Sequence, residues 1–288
     1  MKKTIYNIAL SMAAVALSLT SCVKDDLYNT PHPDKGAVEI STDWSDALAE
    51  SDIPSAYYLK ADDDSPVETA EKTMRYPKLL TPGRHVFSAY NIPDGIRVEG
   101  AVASVTLSGN GMLNPMPGYL FSSVKEVDVL QDHILQVDMP MKRRVCPISL
   151  KLTLTGGKPE EITHVEATLS GVAGSVNLHS GTIGDESFSL MPVITPTDGT
   201  LRSPAEVEMR CRVVGVNPQQ RQLLSVTFTM KDGHREEIIS DLTDKLKDVN
   251  ATMRPVDLSG SIDAPQDGEF GGTITDWTGT DDFEIDIQ

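Results

Sequence analysis

From Gly36 onward the chain alternates between apolar and polar positions. Val38, Ile40, Thr42 and Trp44 fall on one face of an extended segment, and Glu39, Ser41 and Asp43 on the other. Leu135, Val137 and Met139 alternate with Gln136 and Asp138. Cys146, Ile148, Leu150, Leu152 and Leu154 alternate with Ser149, Lys151 and Thr153. Val207, Met209, Cys211 and Val213 do the same against Glu208, Arg210 and Arg212. Successive side chains of a strand point to opposite sides, so this period predicts strands with one buried and one wet face. Leu224, Val226, Phe228 and Met230 continue the pattern up to Asp232-Gly233. An Asp-Gly pair between extended runs predicts a two-residue hairpin turn with positive φ at both positions. Helical spacing is scarce. Only "DLTDKLKDVN" places Leu242, Leu246 and Val249 on one helical face, for one or two turns stopped at Asn250.

Strands that recur every ten residues or so, separated by Gly, Pro, Asn and Asp, predict an all-β protein built of β-sandwiches. A seam falls at "MPMKRRVCP", Met139 to Pro147, where two prolines and three basic residues interrupt the alternation. The expected organisation is an N-terminal sandwich over 36–141 and a C-terminal sandwich over 145–288. The length suffices for two cores.

The first two dozen residues read differently. Lys2 and Lys3 precede an apolar run, Ile8 to Leu19. A run of about a dozen residues falls short of the roughly 20 a membrane-crossing helix needs. It fits the apolar core of a cleaved secretory signal, residues 1–21. Leu19-Thr20-Ser21-Cys22 resembles a bacterial lipobox, in which the leader is cut before the cysteine and the thiol receives a diacylglycerol. More than one acyl chain holds a protein stably on a membrane. Lys24, Asp25 and Asp26 resemble the signal with which Bacteroidota send lipoproteins to the outer cell surface. Residues 22–35, ending in "NTPHPDK", then form a lipidated tether, since prolines discourage regular structure.

Charge and candidate chemistry narrow the function by exclusion. The chain carries a formal −17, which becomes −19 once Lys2 and Lys3 leave with the signal. No basic stripe offsets this, so nucleic acid is not an expected partner. Cys146 and Cys211 share the apolar register of their strands; two buried thiols are the expectation, with a disulfide as the alternative. His32, His85, His133, His164, His179 and His234 form no HExxH pair or zinc-ligand spacing, and no GxSxG elbow is present. Asp62-Asp63-Asp64 lacks the spacing of a calcium loop and reads as a solvated acidic turn. Asp281, Asp282, Glu284 and Asp286 read as the wet face of a terminal strand. Gly109-Asn110-Gly111 and Gly271-Gly272 read as turns, with no following helix to aim amides at phosphate. Aromatic residues make up only 5% of the chain, so Trp44 and Trp277 are expected inside the sandwiches and not on a sugar-stacking platform. No catalytic, metal-binding or cofactor-binding set emerges.

The phrases "SCVKDDLYNTPHPDKGAVEISTDWS", "CPISLKLTLTGG" and "ATLSGVAGSVNL", with the tail around Trp277, resemble FimB-like fimbrial anchor subunits of Bacteroidales, within the fimbrillin group that builds type V pili. The resemblance implies two transthyretin-like β-sandwiches in tandem. It also implies a non-catalytic lipoprotein on the outer membrane surface that attaches a fimbria there and contacts shaft subunits by strand exchange. In shaft subunits, the resemblance implies, cleavage after an N-terminal strand, often at arginine, opens a groove for a neighbour's strand. Here no arginine lies between Cys22 and Met74, and Arg75 is the first. That favours a subunit keeping both strand and lipid. The tail "GGTITDWTGTDDFEIDIQ" is expected to be a strand of its own sandwich, with a contact for the neighbouring subunit as the alternative. A surface glycan-binding lipoprotein of a polysaccharide-utilisation system is the alternative, and it requires exposed Trp and Tyr lining a groove.

Overall fold

The computed structural model describes residues 34–195, 205–263 and 274–279. Its first half contains β1 (Ala37–Asp43), β2 (Tyr57–Ala61), β3 (Val67–Thr69), β4 (Thr73–Arg75), β5 (Gly83–Tyr90), β6 (Ile96–Glu99), β7 (Val102–Val105), β8 (Phe121–Val129), β9 (Ile134–Pro140) and β10 (Lys142–Arg143). A three-stranded sheet, β4-β1-β9, faces a five-stranded sheet, β10-β8-β5-β2-β3. Between them lies a core that includes Val38, Ile40, Leu59, Phe87, Phe121 and Met139.

The second half contains β11 (Cys146–Thr155), β12 (Ile162–Ala173), β13 (Ser175–Asn177), β14 (Ser187–Leu190), β15 (Val193–Thr195), β16 (Ala205–Val213), β17 (Leu223–Met230), β18 (Arg235–Asp241), β19 (Val256–Asp263) and β20 (Thr275–Gly279). A five-stranded sheet, β15-β16-β11-β19-β20, packs on a four-stranded sheet, β14-β12-β17-β18. The protein is therefore a tandem of β-sandwiches, as the alternation predicts. Ile148, Leu150, Leu152 and Leu154 are all nearly inaccessible on β11, as are Leu224, Val226 and Phe228 on β17. Each such side chain contributes roughly 1.5–3 kcal/mol by leaving water.

Both sandwiches place their first strand in the same way. β1 runs parallel to β9 and antiparallel to β4, and β11 runs parallel to β19 and antiparallel to β16. A strand between two neighbours satisfies its backbone polar groups on both sides, which leaves no open edge there.

The halves are joined by more than the chain. β6 and β7, from the first half, form a separate sheet with β13 from the second. Ser104, Ala103 and Val102 pair with Ser175, Val176 and Asn177. Ile96, Ala103, Val105, Leu113 and Leu120 are buried in the same cluster as Leu150, Val176 and Phe228.

Two local expectations are corrected. The Asp232-Gly233 turn is a three-residue loop, because Thr229 pairs with Arg235 and the Met230 N–H donates to the His234 carbonyl at 2.8 Å. Only Gly233 takes positive φ, +86°. Asp232 instead uses its side chain, whose Oδ1 accepts the His234 N–H at 2.9 Å. Asn250 does not stop a helix either. It lies within the second of two short turns, Thr243–Leu246 and Val249–Thr252, which ends at Met253 with φ +49°. Its amide receives the Val216 N–H and donates to the Val216 carbonyl, both at 2.8 Å. Leu242, Leu246 and Val249 are buried, as their spacing predicts.

Candidate assembly interface

The described chain enters the first sandwich at Asp34, and its first residues are held by backbone bonds at once. The Asp132 N–H donates to the Lys35 carbonyl, and Gly36 and Leu80 exchange two backbone bonds, all at 2.9 Å. A Cβ on Gly36 would stand 2.3 Å from the Leu130 carbonyl oxygen and 2.6 Å from Val129 Cγ1, so this position needs glycine for lack of space. β1 follows with Val38, Ile40 and Thr42 inaccessible in the core. Ala37 to Asp43 lie opposite Ile134 to Pro140 on one side, and Glu39 to Ser41 opposite Arg75 to Thr73 on the other. Trp44 closes the strand, edge-on to Tyr57 and Phe121 at 5.6 and 5.5 Å, its Nε1 donating to Thr42 Oγ1 at 2.9 Å. Cys22, Lys24, Asp25 and Asp26, and residues 1–21 expected to form a leader, lie outside the described residues.

The arginines of the basic run turn inward at the seam, where one of their bonds crosses to the second half. The Arg143 N–H donates to Asp46 Oδ2 at 2.7 Å and its Nη2 to the Met253 carbonyl at 2.6 Å. Its side chain is buried, and neither Nε nor Nη1 has a hydrogen-bond partner. Arg144 Nε donates to Ser122 Oγ at 2.8 Å, and Ser122 Oγ donates to the Leu178 carbonyl at 2.8 Å. Burial lowers the Arg144 pKa, only partly offset by Asp46. Arg212 of β16 reaches back into the first half. Its N–H donates to the Pro115 carbonyl at 2.8 Å and its guanidinium lies 4.1 Å above the Tyr119 ring. In the sequence the KRR run is only an interruption of the alternation; the inward turn of its arginines depends on strands far apart in the chain coming together.

At the far end, β20 pairs antiparallel with β19, so the described part of the tail is a strand of its own sandwich. Trp277 is buried and its Nε1 donates to Ser240 Oγ at 2.8 Å, tying β20 to β18 across the two sheets. The acids from Asp281 onward lie outside the described residues. Cys146 and Cys211 are free, buried thiols, so the disulfide alternative is not realised.

The acidic turn has a structural use. Asp62, at φ +48°, accepts the Val86 N–H at 2.8 Å and faces His85 Nδ1 at 2.7 Å. Burial alone would raise the Asp62 pKa, but the bonds from His85 and Val86 outweigh it and hold the carboxyl low. Asp64 accepts from the Tyr76 hydroxyl at 2.9 Å and from Lys78 Nζ at 2.6 Å, and burial with this carboxylate pushes the Tyr76 phenol up to about 12. Among the described residues no three His, Cys, Asp or Glu side chains converge to hold a metal ion.

A model of the fimbrillin-A associated anchor proteins Mfa1 and Mfa2 matches residues 67–281. The chain belongs to this anchor family. Solved structures agree in fold. The fimbrial anchor protein Mfa2 from Porphyromonas gingivalis superposes with a TM-score of 0.60 at 13% identity, over 85% of this chain and 97% of that one. A proposed adhesin from Bacteroides ovatus gives 0.57 at 17% identity, over 87% and 96%. A protein from Bacteroides thetaiotaomicron, described as a proposed polysaccharide-binding protein, gives 0.51 at 13% identity, over 82% and 93%. No curated protein matches the chain. Membership of the anchor family makes this a cell-surface, fimbria-associated protein.

Proposed function

We propose that the protein is a non-catalytic surface lipoprotein that holds a fimbria on the outer membrane. Residues 1–21 leave as a signal peptide and Cys22 carries the acyl chains. Lys24, Asp25 and Asp26 direct export to the outer face, and residues 22–35 form the tether. Two transthyretin-like units, 36–141 and 145–288, stand on it and contact a shaft subunit by strand complementation. In that contact main-chain bonds supply affinity and alternating side chains supply fit.

The observation that carries this reading is the position of β1. It lies between two paired neighbours with its apolar face in the core, and no arginine separates Cys22 from Met74. A strand so held, on the chain that bears the lipid, suits a subunit that ends a fimbria at the membrane. Tension on the tether would pull along β1 and load its ladder with β9 all at once.

Replacing Cys22 with Ser in the native host tests the anchor. Incorporation of labelled palmitate should vanish and fimbriae should appear in the medium. Unchanged labelling would remove the lipid from this reading. Fimbriae that stay attached at normal length in a clean deletion would remove the anchoring role.

A further inference from the structure

One row of side chains crosses the outer face of the first half's five-stranded sheet. Ser122 on β8 lies opposite Tyr90 on β5, Tyr90 opposite Tyr58 on β2, and Tyr58 opposite Glu68 on β3. Burial falls along it. Ser122 is 1% and Tyr90 9% exposed beneath the second sandwich, Tyr58 is half-buried and Glu68 is exposed. Where the second sandwich stops covering this row, a cleft of about 510 Å³ opens. Its lining includes Tyr58, Glu68, Asp52 and Asp94, with Tyr119 and the Arg212 guanidinium that lies over its ring.

We infer that this cleft binds a neutral oligosaccharide. Its volume lies in the ordinary range for ligand sites. Tyr58 is already braced, stacked on Tyr90 at 5.8 Å and 29°, so a sugar's C–H face meets a ring that does not have to be ordered first. Among the described residues, the hydroxyls of Tyr58 and Tyr119 and the carboxylates of Glu68 and Asp94 make no hydrogen bond. Carboxylates accept from neighbouring hydroxyl pairs, and Arg212 donates from the nitrogens not turned to the Pro117 carbonyl. Three carboxylates beside one guanidinium, on a chain of net −17, disfavour acidic sugars. An extended peptide finds only the three residues of β3 as a free edge, too short a ladder for strand addition. The site takes residues from both halves, so it exists only because the seam is fixed. It is independent of the anchoring role.

Titration calorimetry of the full chain against malto-, cello-, xylo- and mannohexaose tests the inference, with a galacturonic hexamer as the anionic comparison. At least one neutral hexaose should bind with a Kd in the roughly micromolar to low-millimolar range. Tyr58→Ala and Glu68→Gln should each weaken it by about tenfold or more. Glu68 is exposed on an edge strand, so Glu68→Gln does not endanger the fold if Tyr58→Ala does. Absence of binding across the neutral panel, tighter binding of the anionic hexamer, or binding that survives Glu68→Gln would overturn the assignment. Retention of fimbriae, measured separately, reports on the anchor and not on this cleft.

Discussion

Gly36 and Leu80 exchange both of their backbone hydrogen bonds, each 2.9 Å long, at the point where the chain enters the first sandwich. The bridge lies immediately before β1, so any pull on the amino-terminal side reaches Gly36 before it reaches the strand. Gly36→Ala puts a methyl group 2.3 Å from the Leu130 carbonyl oxygen and 2.6 Å from Val129 Cγ1, so the backbone of the 129–133 turn must shift to admit it. Overpacking of this kind costs about 1–3 kcal/mol. Urea unfolding should show that loss, with the urea dependence unchanged. A variant as stable as the native chain would mean that the 129–133 turn moves aside easily.

Arg143 carries the second prediction. Its guanidinium is buried, donates from Nη2 to Met253, and leaves Nε and Nη1 without partners. A buried charge so incompletely paired costs more in lost hydration than it regains, and an apolar side chain of similar volume is often neutral or stabilising. Arg143→Met should therefore lie within about 1 kcal/mol of the native stability or above it. Arg143→Ala, which leaves a void at the seam, should cost roughly 2–5 kcal/mol. Denaturant melts of both variants decide it. A loss of more than about 2 kcal/mol in Arg143→Met would show that the guanidinium is better satisfied than its protein partners indicate.

The faces of the strands were legible in the chain, and their partners were not. Period two tells which of Val38 and Glu39 is buried because adjacent side chains must diverge. It does not tell that β1 lies beside β9, nearly a hundred residues on and running parallel, since register is set by contacts the local pattern does not encode. The same reason hides the β6-β7-β13 sheet and the Tyr58, Tyr119 and Arg212 cleft, whose residues come from three distant segments. At Asp232 the failure was local. Turn chemistry allowed positive φ there, but the carboxylate bonding to His234 favoured a longer loop. At Asn250 a residue read as a stop is a side-chain bridge to Val216, visible only across the fold.

His85 and Asp62 make stability depend on pH. Burial alone would lower the His85 pKa, but its bonds to Asp62 and to the Thr81 carbonyl, and the Asp62 charge, outweigh it and raise the pKa above 6.5. A raised histidine pKa contributes stability in full below the unfolded value, and the contribution is lost as pH rises through the folded one. The lowered Asp62 pKa contributes stability above about 3.8, lost as pH falls through its folded value. The pair is thus strongest between roughly pH 4 and 6.5 and weakens above. Asp62 is half exposed, so the whole effect is about 0.5 kcal/mol. His85→Gln should flatten the change in melting temperature between pH 6 and 8.5 by about 1–2 °C. An unchanged slope would assign that change to other groups.

Cys146 and Cys211 lie on adjacent strands but not opposite one another, for Cys146 pairs with Val213 and Cys211 with Ile148. Diagonal neighbours stand roughly 7–8 Å apart, farther than the approach a disulfide requires. Burial pushes both thiols up to about 12, and Cys146 donates its proton to the Arg254 carbonyl at 2.9 Å. At pH 8 both thiols then stay protonated, and the thiolate is the reactive species. In a chain with Cys22→Ser, only these two thiols remain. Iodoacetamide at pH 8 should leave the native protein unmodified and add two carbamidomethyl groups in guanidinium. Mild oxidant should leave the native mass unchanged. A loss of two mass units on oxidation would mean that the two strands shift enough to join, and alkylation without denaturant would mean that the second core opens readily at β11.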